Sequence, residues 1–234
     1  MATVFQLDCK EVNLTLNHDK TKALGIFADS TGICENPREW SSLGKFLTKG
    51  KDVIASEYDV ADLNTPIDKI YGDWVEFWQL SKVQAEACLA KNGLLALPVS
   101  YNGKGGSLWV GSPNCPWDSG QIGWYVIPLS EIRKEFNVKR ISKKLLAKVE
   151  SFLSKEVSTY DDWANGNVYG YVIYVVEAIC DKGEITLGHE IDACWGFIGD
   201  ADDSVVDIHS HVGSDFTVSD VEDACSYQNL NCHY

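Results

Sequence analysis

A chain of 234 residues, 45 % of them hydrophobic, is long enough to bury a core without disulfide or metal staples, which excludes a disordered tail and a cross-linked miniature. The formal net charge of −14 sets the surface as a whole against phosphate polymers, so direct nucleic-acid binding is not expected. No apolar run reaches the ~18 residues of a membrane helix, and Met1–Asp8 has neither the basic start nor the apolar stretch of a secretory leader, so a cytoplasmic, membrane-free location is the expectation.

The N-terminal third reads as a β-meander. Val4 to Leu7, Val12 to Leu16 and Ala23 to Ala28 are short apolar or alternating runs, with a turn at Asn17-His18-Asp19. Glu35-Asn36-Pro37-Arg38-Glu39-Trp40 places Pro at the first position of a short helix that Gly44 ends. Arg38 has the fork geometry to clamp a carboxylate or phosphate, although such an arginine more often pairs with a neighbouring acid. From Thr65-Pro66 the apolar residues Ile67, Ile70, Trp74, Phe77, Trp78, Val83 and Ala87 recur at helical spacing up to Asn92-Gly93, which predicts the longest helix of the chain. Leu94 to Val99 and Ser107 to Gly111 flank Asn102-Gly103 and Gly105-Gly106, the chemistry of a hairpin; no Lys-Ser/Thr follows, so this is not a phosphate loop.

The least ordinary stretch is Ser112-Pro113-Asn114-Cys115-Pro116-Trp117-Asp118-Ser119-Gly120, which runs into a strand, Gln121 to Ile127. Two prolines stiffen the loop and the glycine loosens its exit. Its common use is to seat Trp117 on the core while Asp118 bonds nearby amides; its functional use is to present both as a binding site. Beyond it, Pro128 to Phe136 reads as a helix with Ser130 as N-cap, and a second helix starts at Ser142 with Leu145, Val149, Phe152, Leu153 and Val157 on one side. Its lysines Lys143, Lys144 and Lys148 fall mostly on the other side, as a solvated face. Val168 to Ile179 is a nearly continuous apolar run, the mark of a central strand, and Trp195 to Ile198 is another. With no linker and no repeat, the expectation is one α+β domain over residues 1–234, with a mostly antiparallel sheet and helices packed on one face.

Charge is placed unevenly. After Lys182 there is no Lys or Arg, and residues 183–234 carry eleven acids, among them Asp200, Asp202, Asp203 and Asp207. A patch of that sign fits a basic partner surface, or imitates nucleic acid before a protein that handles it. The eight cysteines form no CxxC pair, so zinc-finger spacing is absent and reduced thiols are expected.

Several blocks together are similar to a family of proteins from bacteriophages and integrated mobile elements. They are Glu35-Asn36-Pro37-Arg38-Glu39-Trp40 with Leu43-Gly44, Cys115-Pro116-Trp117-Asp118-Ser119-Gly120-Gln121-Ile122-Gly123, Ile132-Arg133-Lys134-Glu135, Gly166-Asn167-Val168-Tyr169-Gly170 and Cys194-Trp195-Gly196-Phe197, in order across about residues 30–199. The chain departs from that pattern at Ser41-Ser42, where the family shows Asp-Asn, and in its acidic last segment. The resemblance carries no catalytic residue; it implies an accessory protein in a bacterial host cytoplasm, where inhibiting host defence is a frequent role.

One constellation has a metal-ligand look. His209-Ser210-His211 follows the apolar run Val205-Val206-Asp207-Ile208; on a strand end the two imidazoles would share a face. Ser219 lies eight residues past His211, which resembles the spacing of the JAMM metalloprotease motif, and the zinc of that alternative would be held by His209, His211 and Asp220. Position 222 is Glu where that motif has Asp, and Val212 stands where it has Pro; a base would come from Glu177 or Glu190. Weaker enzyme readings use Cys115 with His18 or His189, or the carboxylates Asp118 and Glu39. The first expectation is therefore a non-catalytic module that binds a host protein through an acidic surface, using Asp200, Asp202, Asp203 and Asp207 with Arg38, Trp117 and Asp118. The alternatives are a zinc hydrolase at His209/His211 and a virion or assembly component.

Overall fold

The structure, a computed structural model, describes residues 3–7, 10–29, 32–49, 53–72, 75–179 and 185–226. The first elements are β1 (Thr3–Leu7), β2 (Lys10–Leu16), β3 (Lys22–Ala28), β4 (Lys45–Thr48), α1 (Ile67–Tyr71), α2 (Lys82–Lys91), β5 (Leu94–Asn102) and β6 (Ser107–Val110). They are followed by β7 (Ser119–Pro128), α3 (Leu129–Glu135), α4 (Lys143–Ala164), β8 (Val168–Ile179), β9 (Ile185–Ile198), α5 (Ala201–Val212) and α6 (Val218–Ser226). The class is α+β and every described strand pair is antiparallel. The strands form two sheets, and the chain divides into two compact units, residues 1–37 with 162–234 and residues 38–161. Among the described residues no helix is long and apolar enough to cross a membrane.

In the first unit the sheet order is β1-β2-β3-β8-β9, so the predicted meander β1–β3 forms and β8 has a neighbour on each side. Val168 to Tyr174 are buried without interruption, as a strand covered on both faces must be. Helices α5 and α6 cover one face: Val205, Ile208 and Val212, at three-to-four spacing, pack with Phe216 and Val221 against Leu24, Ile26, Tyr171, Ile173 and Phe197. The opposite face gathers Leu14, Ala23, Phe27, Val172 and Tyr174.

In the second unit the order is β4-β7-β5-β6. Strand β7 sends Tyr125 and Ile127 to one face, where they meet Phe46, Ile132 of α3, and Val149, Leu153 and Val157 of α4. Trp124 and Val126 go to the other face, against Leu47, Phe77 and Ala85, Cys88 and Leu89 of α2. Helix α4 begins where its sequence indicates, with the Ser142 hydroxyl accepting from the Leu145 N–H at 3.2 Å, and its lysines Lys143, Lys144 and Lys148 are exposed.

Three expectations need correction. The helix expected from Thr65 to Ala90 is broken into α1, a 3-10 turn at Phe77–Gln79 and α2, so α4, at 22 residues, is the longest. Gly72, at φ 91°, ends α1, and a capping box restarts the chain: Ser81 Oγ accepts from Gln84 N–H while Gln84 Oε1 accepts from Ser81 N–H at 3.0 Å. Ser130 is not the N-cap of α3, because β7 runs straight into the helix through Pro128 and Leu129 N–H bonds to Gly93 O at 2.8 Å. His209 and His211 lie on helix α5 and not at a strand end; the run Val205-Val206-Asp207-Ile208 is mostly apolar, but Val205, Ile208 and Val212 face the core only with helical period. Trp74, residues 180–184 and residues 227–234 lie outside the described residues.

Candidate functional site

The Ser112–Asp118 loop is held at its base by side chains that close turns. Ser119 Oγ accepts from Cys115 N–H at 2.8 Å and donates to Cys115 O at 2.7 Å, and Ser119 N–H bonds the same carbonyl at 3.1 Å. Asp118 O accepts from Gly103 N–H at 3.0 Å, tying the loop to the β5–β6 hairpin, and Trp109 Nε1 donates to Ser112 O at 3.1 Å. The Asp118 carboxylate lies 3.5 Å from Lys104 Nζ, a surface pair of small energetic weight. Trp117 does not seat on the core: it is 90 % exposed, the largest exposure among the large hydrophobic residues described. A well-braced loop holding an indole in solvent has the features of a contact anchor, since indole offers large area with little rotamer entropy to lose. Because Trp117 packs on nothing in the fold, Trp117→Ala should leave unfolding stability within about 0.5 kcal/mol of the parent; a larger loss in a urea titration would show that the indole does pack.

The N–H groups of Trp117 and Asp118 hold the Cys115 thiol below its ordinary value. Residues 38–161 contain no histidine, and His18 and His189 belong to the first unit, so Cys115 has no imidazole within its own unit. Cys34, Cys88, Cys115 and Cys194 are free thiols.

Arg38 is committed internally. Its Nε and Nη2 fork onto Glu57 at 2.9 and 2.6 Å, Nη1 donates to Tyr125 Oη at 2.6 Å and to Ser42 Oγ at 3.1 Å, and Nη2 also reaches Gly44 O at 3.1 Å. Tyr125 then donates to Glu156 Oε2 at 2.8 Å, and Glu156 accepts from the N–H groups of Leu43 at 2.6 Å and Gly44 at 3.1 Å. The relay Glu57–Arg38–Tyr125–Glu156 ties the Pro37–Gly44 turn to β4, β7 and α4. Glu57, Tyr125 and Glu156 carry no signal at the level of spacing, and the Glu156 link closes over more than a hundred residues of sequence.

The acidic residues of the first unit divide by task. Asp200 caps α5, its Oδ1 accepting from Asp203 N–H at 2.8 Å, and Asp220 accepts from Thr217 N–H at 2.7 Å and Thr217 Oγ1 at 2.8 Å at the start of α6. Asp215 pairs with Lys22 at 2.5 Å. Asp203 and Asp207, with exposed side chains, continue the stripe that Asp200 begins, at i+3 and i+7, beside Val206, which is 68 % exposed. Among the described residues no cation pairs with Asp203 or Asp207. The backbone of Asp202 belongs to the first turn of α5; its side chain lies outside the described residues.

The two histidines do not converge. Two residues apart on a helix, they leave the axis roughly 200° from each other. His211 stands edge-on to Phe197, with centroids 5.2 Å apart, and its Nδ1 donates to Asp207 O at 2.8 Å, while Asp220 serves its own helix start. Among the described residues no three His, Cys, Asp or Glu side chains are grouped to hold a metal ion, so the fit that a zinc hydrolase at His209, His211 and Asp220 requires is missing. The search for kin adds nothing to set beside this geometry: no family model, no curated protein and no solved structure matches the chain.

Proposed function

We propose that the chain is an accessory protein of phage or mobile-element type that works in a bacterial host by binding a host protein, one whose own site is basic because it handles nucleic acid. The observation that carries this reading is the α5 stripe, in which Asp200, Asp203 and Asp207 point outward and no cation neutralises the last two. Their axial spacing of about 4.5 and 6 Å is wider than the roughly 3.4 Å per charge of one nucleic-acid strand, so the stripe offers a line of like charge and not a copy of the backbone. Val206, between them, adds an apolar contact that a purely electrostatic decoy would lack. The absence of Lys and Arg after Lys182 keeps the surrounding field negative.

The test is capture of a partner from host extract on the full chain, with the triple variant Asp200→Asn, Asp203→Asn, Asp207→Asn as the matched control. Asn preserves the cap of α5, so this variant should fold normally. A true partner is lost with the variant, and its association rate with the parent chain falls at least about tenfold between low salt and ~0.5 M. A partner that binds both proteins alike, or a rate that ignores salt, overturns the reading.

A further inference from the structure

Where β4 ends, β7 carries a β-bulge: Val99 faces Gly123 and Ser100 faces Gln121, which leaves Ile122 as the extra residue. The Ile122 carbonyl is taken up by Lys49 N–H at 3.0 Å, so the bulge is fixed on its β4 side. Beside it opens a cleft of about 220 Å³ lined by Phe77, Trp78 and Trp124, with Gln121 and the two lysines Lys49 and Lys82. The rings are arranged as a cluster: Phe77 stands edge-on to Trp78 at 5.1 Å and to Trp124 at 5.5 Å, and Trp78 and Trp124 are tilted by 31° at 6.2 Å.

Two features of this cleft are unexplained by packing. Trp124 is 7 % exposed, and its indole N–H, itself closed off from solvent, has no acceptor among the described residues. Lys49 and Lys82 are exposed on a protein of net charge −14, and among the described residues the carboxylate paired with Lys82 is Glu86 at 3.9 Å, a contact too long to hold it.

We propose that this cleft binds a small planar aromatic molecule carrying one anionic group, with the ring against Trp78 and Trp124 and the anion between Lys49 and Lys82. A neutral ring would leave the lysines idle, and a bare anion would leave the half-buried Trp78, beside the buried rings of Phe77 and Trp124, against water. The volume admits one ring system with a short tail, not a polymer.

The test is calorimetric titration of the full chain with adenosine 5′-monophosphate and with indole-3-acetate, which carry a phosphate and a carboxylate respectively, with adenosine and inorganic phosphate as the two halves. Saturable binding of either aromatic anion is expected, at least about tenfold weaker for both halves and for the double variant Lys49→Ala, Lys82→Ala, whose exposed positions leave the fold intact. Which anion binds decides between phosphate and carboxylate. No binding of either compound up to about 10 mM, adenosine or phosphate binding as tightly as the whole ligand, or undiminished binding by the double variant overturns the site.

Discussion

Arg38→Ala is expected to destabilise the second unit by roughly 3–5 kcal/mol, a large part of the stability of an ordinary domain. The side chain is only 9 % exposed, and its loss leaves the Glu57 carboxylate, the Tyr125 hydroxyl and the Gly44 carbonyl without the donor they share. The guanidinium also lies 5.0 Å from the centre of the Phe46 ring and 5.2 Å from that of Tyr125, so the variant loses stacking as well as charge. Arg38→Lys should recover little, since an ammonium cannot reproduce the fork onto Glu57. Urea unfolding followed by tryptophan fluorescence measures both, and the double variant Arg38→Ala, Glu57→Ala should regain part of the loss because the orphaned carboxylate goes with its partner. A loss under about 1 kcal/mol for Arg38→Ala would mean that the network is solvated and not structural.

The same relay predicts an alkaline limb. Burial pushes the Tyr125 phenol far above its ordinary 10.0, with Arg38 pulling the other way and Glu156 adding to the rise. Above pH 10 the unfolded chain loses that proton while the folded protein keeps it, so this contribution is complete below pH 10 and declines as pH rises toward the folded value. Tyr125→Phe removes it, and the fall of the urea midpoint above pH 10 should become shallower; Tyr171, raised by burial and by its bond to Asp192, keeps some of the slope.

What could be read from the chain was whatever has a period or a turn. The β1–β3 meander, the β5–β6 hairpin, the Val149-Leu153-Val157 face of α4 and the two-sided burial of β8 all follow from spacing and from Gly, Pro and Asn positions. The failures have definite causes. The aromatic stripe from Ile67 to Trp78 suggested one helix, but the stop at Gly72 and the capping box at Ser81–Gln84 were already in the sequence and outrank the stripe. At Val205–Ile208 an apolar run pointed to a strand end, while Asp200 as cap and burial at 205, 208 and 212 settle a helix. Trp117 belongs to no period, so its exposure was undetermined, and the pairing of Arg38 with Tyr125 and of Tyr125 with Glu156 joins residues far apart in the chain, which no local pattern encodes.

Gly123→Ala should be at least as damaging as the loss of Arg38, about 3 kcal/mol or more, and for a different reason. Gly123 sits opposite Thr48 on β4 and Val99 on β5, and a Cβ there would run into the Leu47 carbonyl oxygen and stand 2.8 Å from Thr48 Cα. Both are backbone, so no rotamer change relieves the clash; β4 or β7 has to move. Neither moves freely, because the next two residues, Trp124 and Tyr125, are anchored in cores on opposite faces of the sheet. The bulge at Ile122 and the Lys49–Ile122 bond that fixes it lie directly beside the substitution, so any ligand affinity of the cleft should be lost together with stability. Gly120→Ala is the control: on the same strand it meets nothing within 4 Å, and it should be neutral or stabilise by a few tenths of a kcal/mol through the lower entropy of the unfolded chain. If the two variants unfold at the same urea concentration, the close approach of β4 and β7 at Gly123 is not what sets the register of this sheet.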